Sequence, residues 1–150
     1  MKITSSAFNN SGLIPAKYTR DGDDISPPLY FENVPKDAQS LVLIVNDPDV
    51  PKDIRSDGTW IHWVLFNIDP KTTHVESGKM PNAIPGRNTG GSGVYEGPCP
   101  PYGEHRYFFK LFALDSTLDL SPGSLASAVE KAMAGHVIAE TELMGKYKRE

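Results

Sequence analysis

A second cysteine is missing. With Cys99 alone among 150 residues, an internal disulfide is excluded, and a single thiol suits a reducing compartment. Basic excess is missing too: 15 Lys and Arg stand against 19 Asp and Glu, for a net charge of −4. No basic stripe is there to neutralise phosphates, so nucleic acid is not the expected partner. Residues 146–150 (KYKRE) are the one locally basic run, and they read as a solvated tail. No stretch approaches the roughly 20 apolar residues a membrane span needs, and the opening MKITSSAFNN lacks the apolar core of a signal peptide. A cytoplasmic location is the expectation. Motifs that declare a chemistry by compact spacing are absent as well. There is no HExxH or HxD for a metal and no GxSxG for a serine nucleophile, and GGSG at 90–93 lacks the GK[ST] ending of a phosphate loop.

What the chain has in quantity is punctuation. Thirteen prolines and thirteen glycines divide it into short segments, so a β-rich domain is expected, and 150 residues suffice for one domain with a real core. Residues 3–8 alternate weakly, as an edge strand would, and 12–18 are limited by Pro15 to an edge or a loop. Residues 29–34 form a short strand candidate. SLVLIVN at 40–46 is a continuous apolar run, the mark of a strand covered on both faces. TWIHWVLFNI at 59–68 is apolar on both faces too, with Trp60, His62, Val64 and Phe66 on one side by strict alternation and Ile61, Trp63 and Leu65 on the other. Residues 69–96 form a long Gly/Pro-rich connection, of the kind that is functional or poorly ordered. Helical spacing of Leu125, Ala128, Val129, Ala132 and Met133 follows cap candidates at Ser121 and Ser124, and Gly135 is the natural stop. A last strand is expected over 136–146.

Function gathers at 97–115, GPCPPYGEHRYFFKLFALD. The prolines and glycines of the first half make a stiff loop able to present backbone N–H groups, and the second half reads as a core strand with His105, Tyr107, Phe109 and Leu111 on one face. Asp47 ends the 40–46 strand, because Asp47-Pro48-Asp49-Val50-Pro51 cannot continue a central ladder. If strands 40–46 and 60–68 pair antiparallel and the 105–114 strand flanks 40–46 on its other side, Asp47, His62 and His105 meet at one end of the sheet. Two imidazoles of ordinary pKa near 6.5, loop N–H groups and a phenol can surround one small anion, and Asp47 would orient an imidazole. Such a site prefers phosphate when at least one imidazole is charged. Asp49 reads equally as a turn-maker, Tyr107 as core, Cys99 as a filler, and His74 and His136 carry no role.

DPDVP at 47–51, the pair His62-Trp63 and GPCPPYGEHRYFF at 97–109, preceded by ISPPL at 25–29, resemble the phosphatidylethanolamine-binding protein family, and within it the bacterial branch called Raf kinase inhibitor-like. The likeness covers nearly the whole chain, 1–150. It implies a Greek-key β-sandwich of two antiparallel sheets with one or two short helices near the C-terminus, and a small anion pocket. By the resemblance, Asp47, His62, Gly97, Pro98, His105 and Tyr107 bind the anion, and Asp49, Pro51, Trp60 and Cys99 are candidate walls. Lys52 stands where animal members usually carry a small polar residue, the loop from Pro51 to His62 is one residue shorter, and Cys99 replaces a proline. The resemblance further implies a small phosphorylated ligand or phosphorylated side chain, a protein kinase or protease as the partner inhibited, and a homodimer.

Two enzyme readings compete with this. His62, His105 and Asp47 match the donor set of a metal-dependent hydrolase or oxygenase, and Cys99 with His105 as base could act as a nucleophile. The expectation is nonetheless a binding or inhibitor protein, with no catalytic residue, metal or cofactor assigned.

Overall fold

A computed structural model describes residues 1–149. Nine strands form two sheets: β1 (Lys2–Thr4), β2 (Gly12–Leu13), β3 (Leu29–Glu32), β4 (Ser40–Asp47), β5 (Trp60–Ile68), β6 (His74–Val75), β7 (Ile84–Pro85), β8 (Glu104–Leu114) and β9 (Val137–Lys148). One α-helix, α1 (Ala126–Met133), precedes β9, and a 3₁₀ turn spans Ala16–Tyr18. The small sheet runs β1-β3-β6 and the large one β2-β9-β8-β4-β5-β7. All neighbours are antiparallel except the two-residue pair β2/β9. β8 returns after a long connection to lie beside β4, the Greek-key step.

The apolar run of β4 is buried on both faces for a specific reason. Leu41, Leu43 and Val45 face the small sheet, packing with Ile3, Leu29, Phe31, Phe109 and Leu111. Val42 and Ile44 point the other way, beneath α1, with Val64, Phe66, Val129 and Met133. The helix therefore covers a sheet face that would otherwise lie open. It starts with Leu125 at the N-cap, which is exposed, and Ser124 bonds Ser121 instead of capping. Gly135, at φ 83°, ends it in the left-handed region that glycine tolerates best.

Several expected boundaries shift. The weakly alternating 3–8 segment gives only the three-residue β1, and of 12–18 only Gly12 and Leu13 pair. The 69–96 connection carries two short strands and is pinned by hydrogen bonds from Asn88. The basic run at the end is not a loose tail: Lys146, Tyr147 and Lys148 belong to β9, which pairs with β8 along that strand's whole length, while Glu150 lies outside the described residues. No helix among the described residues is long and apolar enough to cross a membrane.

Candidate functional site

β4, β5 and β8 lie side by side, and their ends meet where the apolar pattern gives way to polar side chains. Asp47, last in β4, is fixed twice. Its Oδ1 accepts the Asp49 N–H at 2.7 Å, closing a turn that the following prolines favour, and its Oδ2 lies 2.6 Å from His105 Nδ1. Burial raises the Asp47 pKa, an effect that the bond to His105 opposes. Both side chains are almost wholly buried.

His62 reaches the same spot through a bulge. Val45 pairs with Trp63 and Asn46 with Ile61, so the register skips His62. The bulge is stabilised from the long connection. The Ile61 N–H donates to Thr89 Oγ1 at 2.7 Å, and Asn88 Nδ2 donates to the His62 carbonyl at 3.2 Å. Strict alternation puts His62 with Val64 and Phe66, but these two face α1, whereas the His62 ring packs edge-on against Tyr107 at 5.3 Å in the core between the sheets. The extra residue rephases the strand, and only with that rephasing does His62 join Asp47 and His105.

The tautomer of His62 follows from its partner. Nδ1 lies 2.6 Å from the Glu96 carbonyl oxygen, which can only accept, so Nδ1 carries the proton and Nε2 holds a lone pair. Burial pushes the His62 pKa down to about 4, so the ring is neutral at physiological pH. This corrects the expectation of two imidazoles with ordinary pKa values: His62 is an acceptor, not a cation. Tyr107 lies between the rings, 5.3 Å from His62 and 6.5 Å from His105. Its hydroxyl is fully buried and has no hydrogen-bond partner among the described residues, and burial raises its pKa above the usual phenol range.

Above these residues opens a cavity of about 270 Å³. Asp47, His62 and His105 line its floor, Gly97 and Cys99 one side, and Trp60, Val50, Ile54, Pro100 and Pro101 the apolar remainder. Gly97 is held by its N–H bond to Asp24 Oδ1 at 2.7 Å, and a Cβ there would sit 2.6 Å from that oxygen and 2.7 Å from the Tyr18 carbonyl. Only glycine fits so close to backbone. The Gly97 N–H is thereby engaged within the protein and not displayed to the cavity.

Four sequence candidates fall outside the lining. Pro98 is buried beneath it, its carbonyl accepting the Arg20 N–H at 3.0 Å. Tyr107 lies under the floor. Asp49 turns outward and clamps Arg106, with Oδ2 2.9 Å from Nε and Oδ1 2.8 Å from Nη2, and these bonds lower its pKa. Pro51 caps a turn through its carbonyl, which accepts from Ile54 and Arg55 N–H, and so presents Ile54 in its stead. Conversely, sequence reasoning missed Arg20 and Glu96, which line the cavity, and Asn88, which builds it. Arg20 meets Glu96 and Pro98 across more than 70 residues of chain, and no local pattern marks it.

Among the described residues no group of three His, Cys, Asp or Glu side chains is arranged to hold a metal.

The profile of the phosphatidylethanolamine-binding protein family matches residues 4–148. A UPF0098 protein of Methanothermobacter thermautotrophicus is 48% identical over 99% of both chains, and one of Chlamydia pneumoniae is 51% identical over 99% of both. The crystal structure of a phosphatidylethanolamine-binding protein homologue from Chlamydia trachomatis superposes with a TM-score of 0.96 at 47% identity, covering 99% of this chain and 97% of that one. E. coli YbcL, described as a member of the mammalian family, superposes at 0.89 with 27% identity over 99% and 98%. By profile, sequence and fold alike, this chain belongs to the phosphatidylethanolamine-binding protein family.

Proposed function

We propose that this chain is a binding protein that takes a phosphate group, on a small ligand or a phosphorylated side chain, into the cavity above Asp47, His62 and His105. The observation that carries this reading is the Tyr107 hydroxyl, fully buried and unpartnered among the described residues, on a ring that packs against both imidazoles of the cavity floor. An unsatisfied buried hydroxyl costs roughly 1–3 kcal/mol, and a ligand oxygen that reached it between the two imidazoles would recover that cost. The ring nitrogens support the same reading. Each histidine has its Nδ1 committed to the protein, which leaves Nε2 as the free polar atom of both rings. A monoprotonated phosphate presents both acceptor oxygens and one O–H, and the O–H suits the lone pair of His62.

The description of the family as phosphatidylethanolamine-binding supports binding over turnover. The Cys99 thiol is exposed, its sulfur 3.6 Å from Arg149 Nη1. The apolar wall of Trp60, Ile54 and Pro101 would cover the substituent of the phosphate. Inhibition of a protein kinase or protease would then work through the rim, with the phosphorylated partner seated in the cavity. A single exposed thiol is compatible with the cytoplasm.

The test is calorimetric titration of phosphate and O-phosphoethanolamine into metal-free protein at pH 6 and pH 8, with the His62→Ala/His105→Ala double variant as control. Wild type should bind both compounds, and binding should be lost in the double variant. A wild-type protein that binds neither compound at either pH contradicts the reading.

A further inference from the structure

Arg20 is the residue that makes this cavity selective for an oxyanion, we infer, by supplying the fixed positive charge that the histidines cannot. This rests on the phosphate reading of the site and deepens it.

Charge on the lining decides the matter. His62 is neutral, with its Nδ1–H given to the Glu96 carbonyl. Any positive charge on His105 is offset by the Asp47 carboxylate 2.6 Å away. Arg20 is the remaining cation of the lining, and a guanidinium stays charged at every working pH.

Its engagement with the protein is loose. Nε lies 3.3 Å from Asp24 Oδ2 and Nη1 lies 3.7 Å from Glu96 Oε1, while the side chain is 48% exposed. Among the described residues these two ion pairs are its only side-chain contacts of that kind, and neither is a well-formed hydrogen bond. Arg106 shows what a committed arginine looks like here, with a two-pronged clamp on Asp49 at 2.8–2.9 Å. Arg20 thus retains its fork of donors beside a floor whose phenol is unpartnered. Its main chain, by contrast, is anchored, since its N–H donates to the Pro98 carbonyl at 3.0 Å. The guanidinium can therefore exchange a weak contact with Glu96 for a two-pronged contact with phosphate without moving the backbone, which is the geometry in which arginine outperforms lysine. The groups facing Arg20 are Asp24 on its own loop, Glu96 on the loop across from it and His62 of β5.

The experiment titrates inorganic phosphate and, in parallel, sodium chloride into wild type, Arg20→Gln, Arg20→Lys and the exposed, distant control Arg87→Gln. Each is assayed at pH 6 and pH 8, with a thermal melt to establish that it is folded. Arg20→Gln should weaken phosphate binding at least tenfold at both pH values, Arg20→Lys should recover part of the loss, and Arg87→Gln should bind as wild type does. Wild-type binding that Arg20→Gln retains within twofold overturns this inference and leaves the phosphate reading standing. Absence of phosphate binding by wild type overturns both.

Discussion

His62 shows how far one buried side chain can be read. Its folded pKa, about 4, lies below the unfolded value near 6.5. The unfolded chain therefore takes up the extra proton as pH falls between those values, and stability is lost through that window. Between pH 7 and pH 5 this loss should amount to about 2 kcal/mol. Asp47 acts in the opposite sense: with its folded pKa raised, it opposes folding as pH rises above its ordinary value. Comparing denaturant curves of wild type and His62→Asn at pH 7 and pH 5 isolates the histidine, and the variant should show a slope smaller by that amount. Ring-nitrogen NMR should find the His62 Nδ1–H tautomer unchanged down to about pH 5, by the same shift. An imidazole titrating near 6.5 would contradict both expectations. The meeting of Asp47, His62 and His105 at one end of the sheet was legible in the sequence because each stands near a strand end. The charge state of His62 was not, because desolvation is set by the packing of Tyr107 and the 86–97 loop against it.

At the scale of elements, the bulge in β5 and the loop after it form one device. Alternation within 60–68 is interrupted at His62, and the interruption survives because Thr89 and Asn88 satisfy the backbone groups that lose their ladder partners. A period-two reading located the strand and its burial correctly yet assigned His62 to the wrong face. The partners that enforce the bulge are 26–28 residues away in a connection without periodicity. Gly97 is the other point where an element is constrained by close approach. Gly97→Ala would force its new methyl against Asp24 and the Tyr18 carbonyl, both within 2.7 Å. Overpacking against backbone should cost about 1–3 kcal/mol. Because the displaced loop carries the cavity wall, phosphate affinity should fall with it, as paired thermal melts and titrations would register. Gly145→Ala, which crowds Ile14 and Phe8 at 2.5–2.7 Å in the core, should cost similar stability and leave affinity within twofold, so the pair separates a wall residue from a core one.

For the whole molecule, the sandwich places a double-sided sheet between the small sheet and α1, and the cavity sits at the end of that sheet where three strands stop. The architecture was legible because β4 and β5 are apolar on both faces, which required cover on both sides. The contribution of Arg20 was not, because it arrives from a loop near the N-terminus whose sequence, KYTRDGDD, reads only as turn chemistry. The expected homodimer rests on resemblance, and light scattering after gel filtration checks it: the account predicts a mass near twice 16.4 kDa, and a monomer mass would contradict it.

The central claim, that the cavity exists to hold a phosphate group, is tested most directly with Tyr107→Phe. The hydroxyl has no partner among the described residues, so its removal should leave the melting temperature unchanged or raised while phosphate affinity falls about tenfold, the weight of one hydrogen bond to a charged group. A variant that melts lower yet binds phosphate as tightly as wild type would make the hydroxyl a structural group and contradict the account.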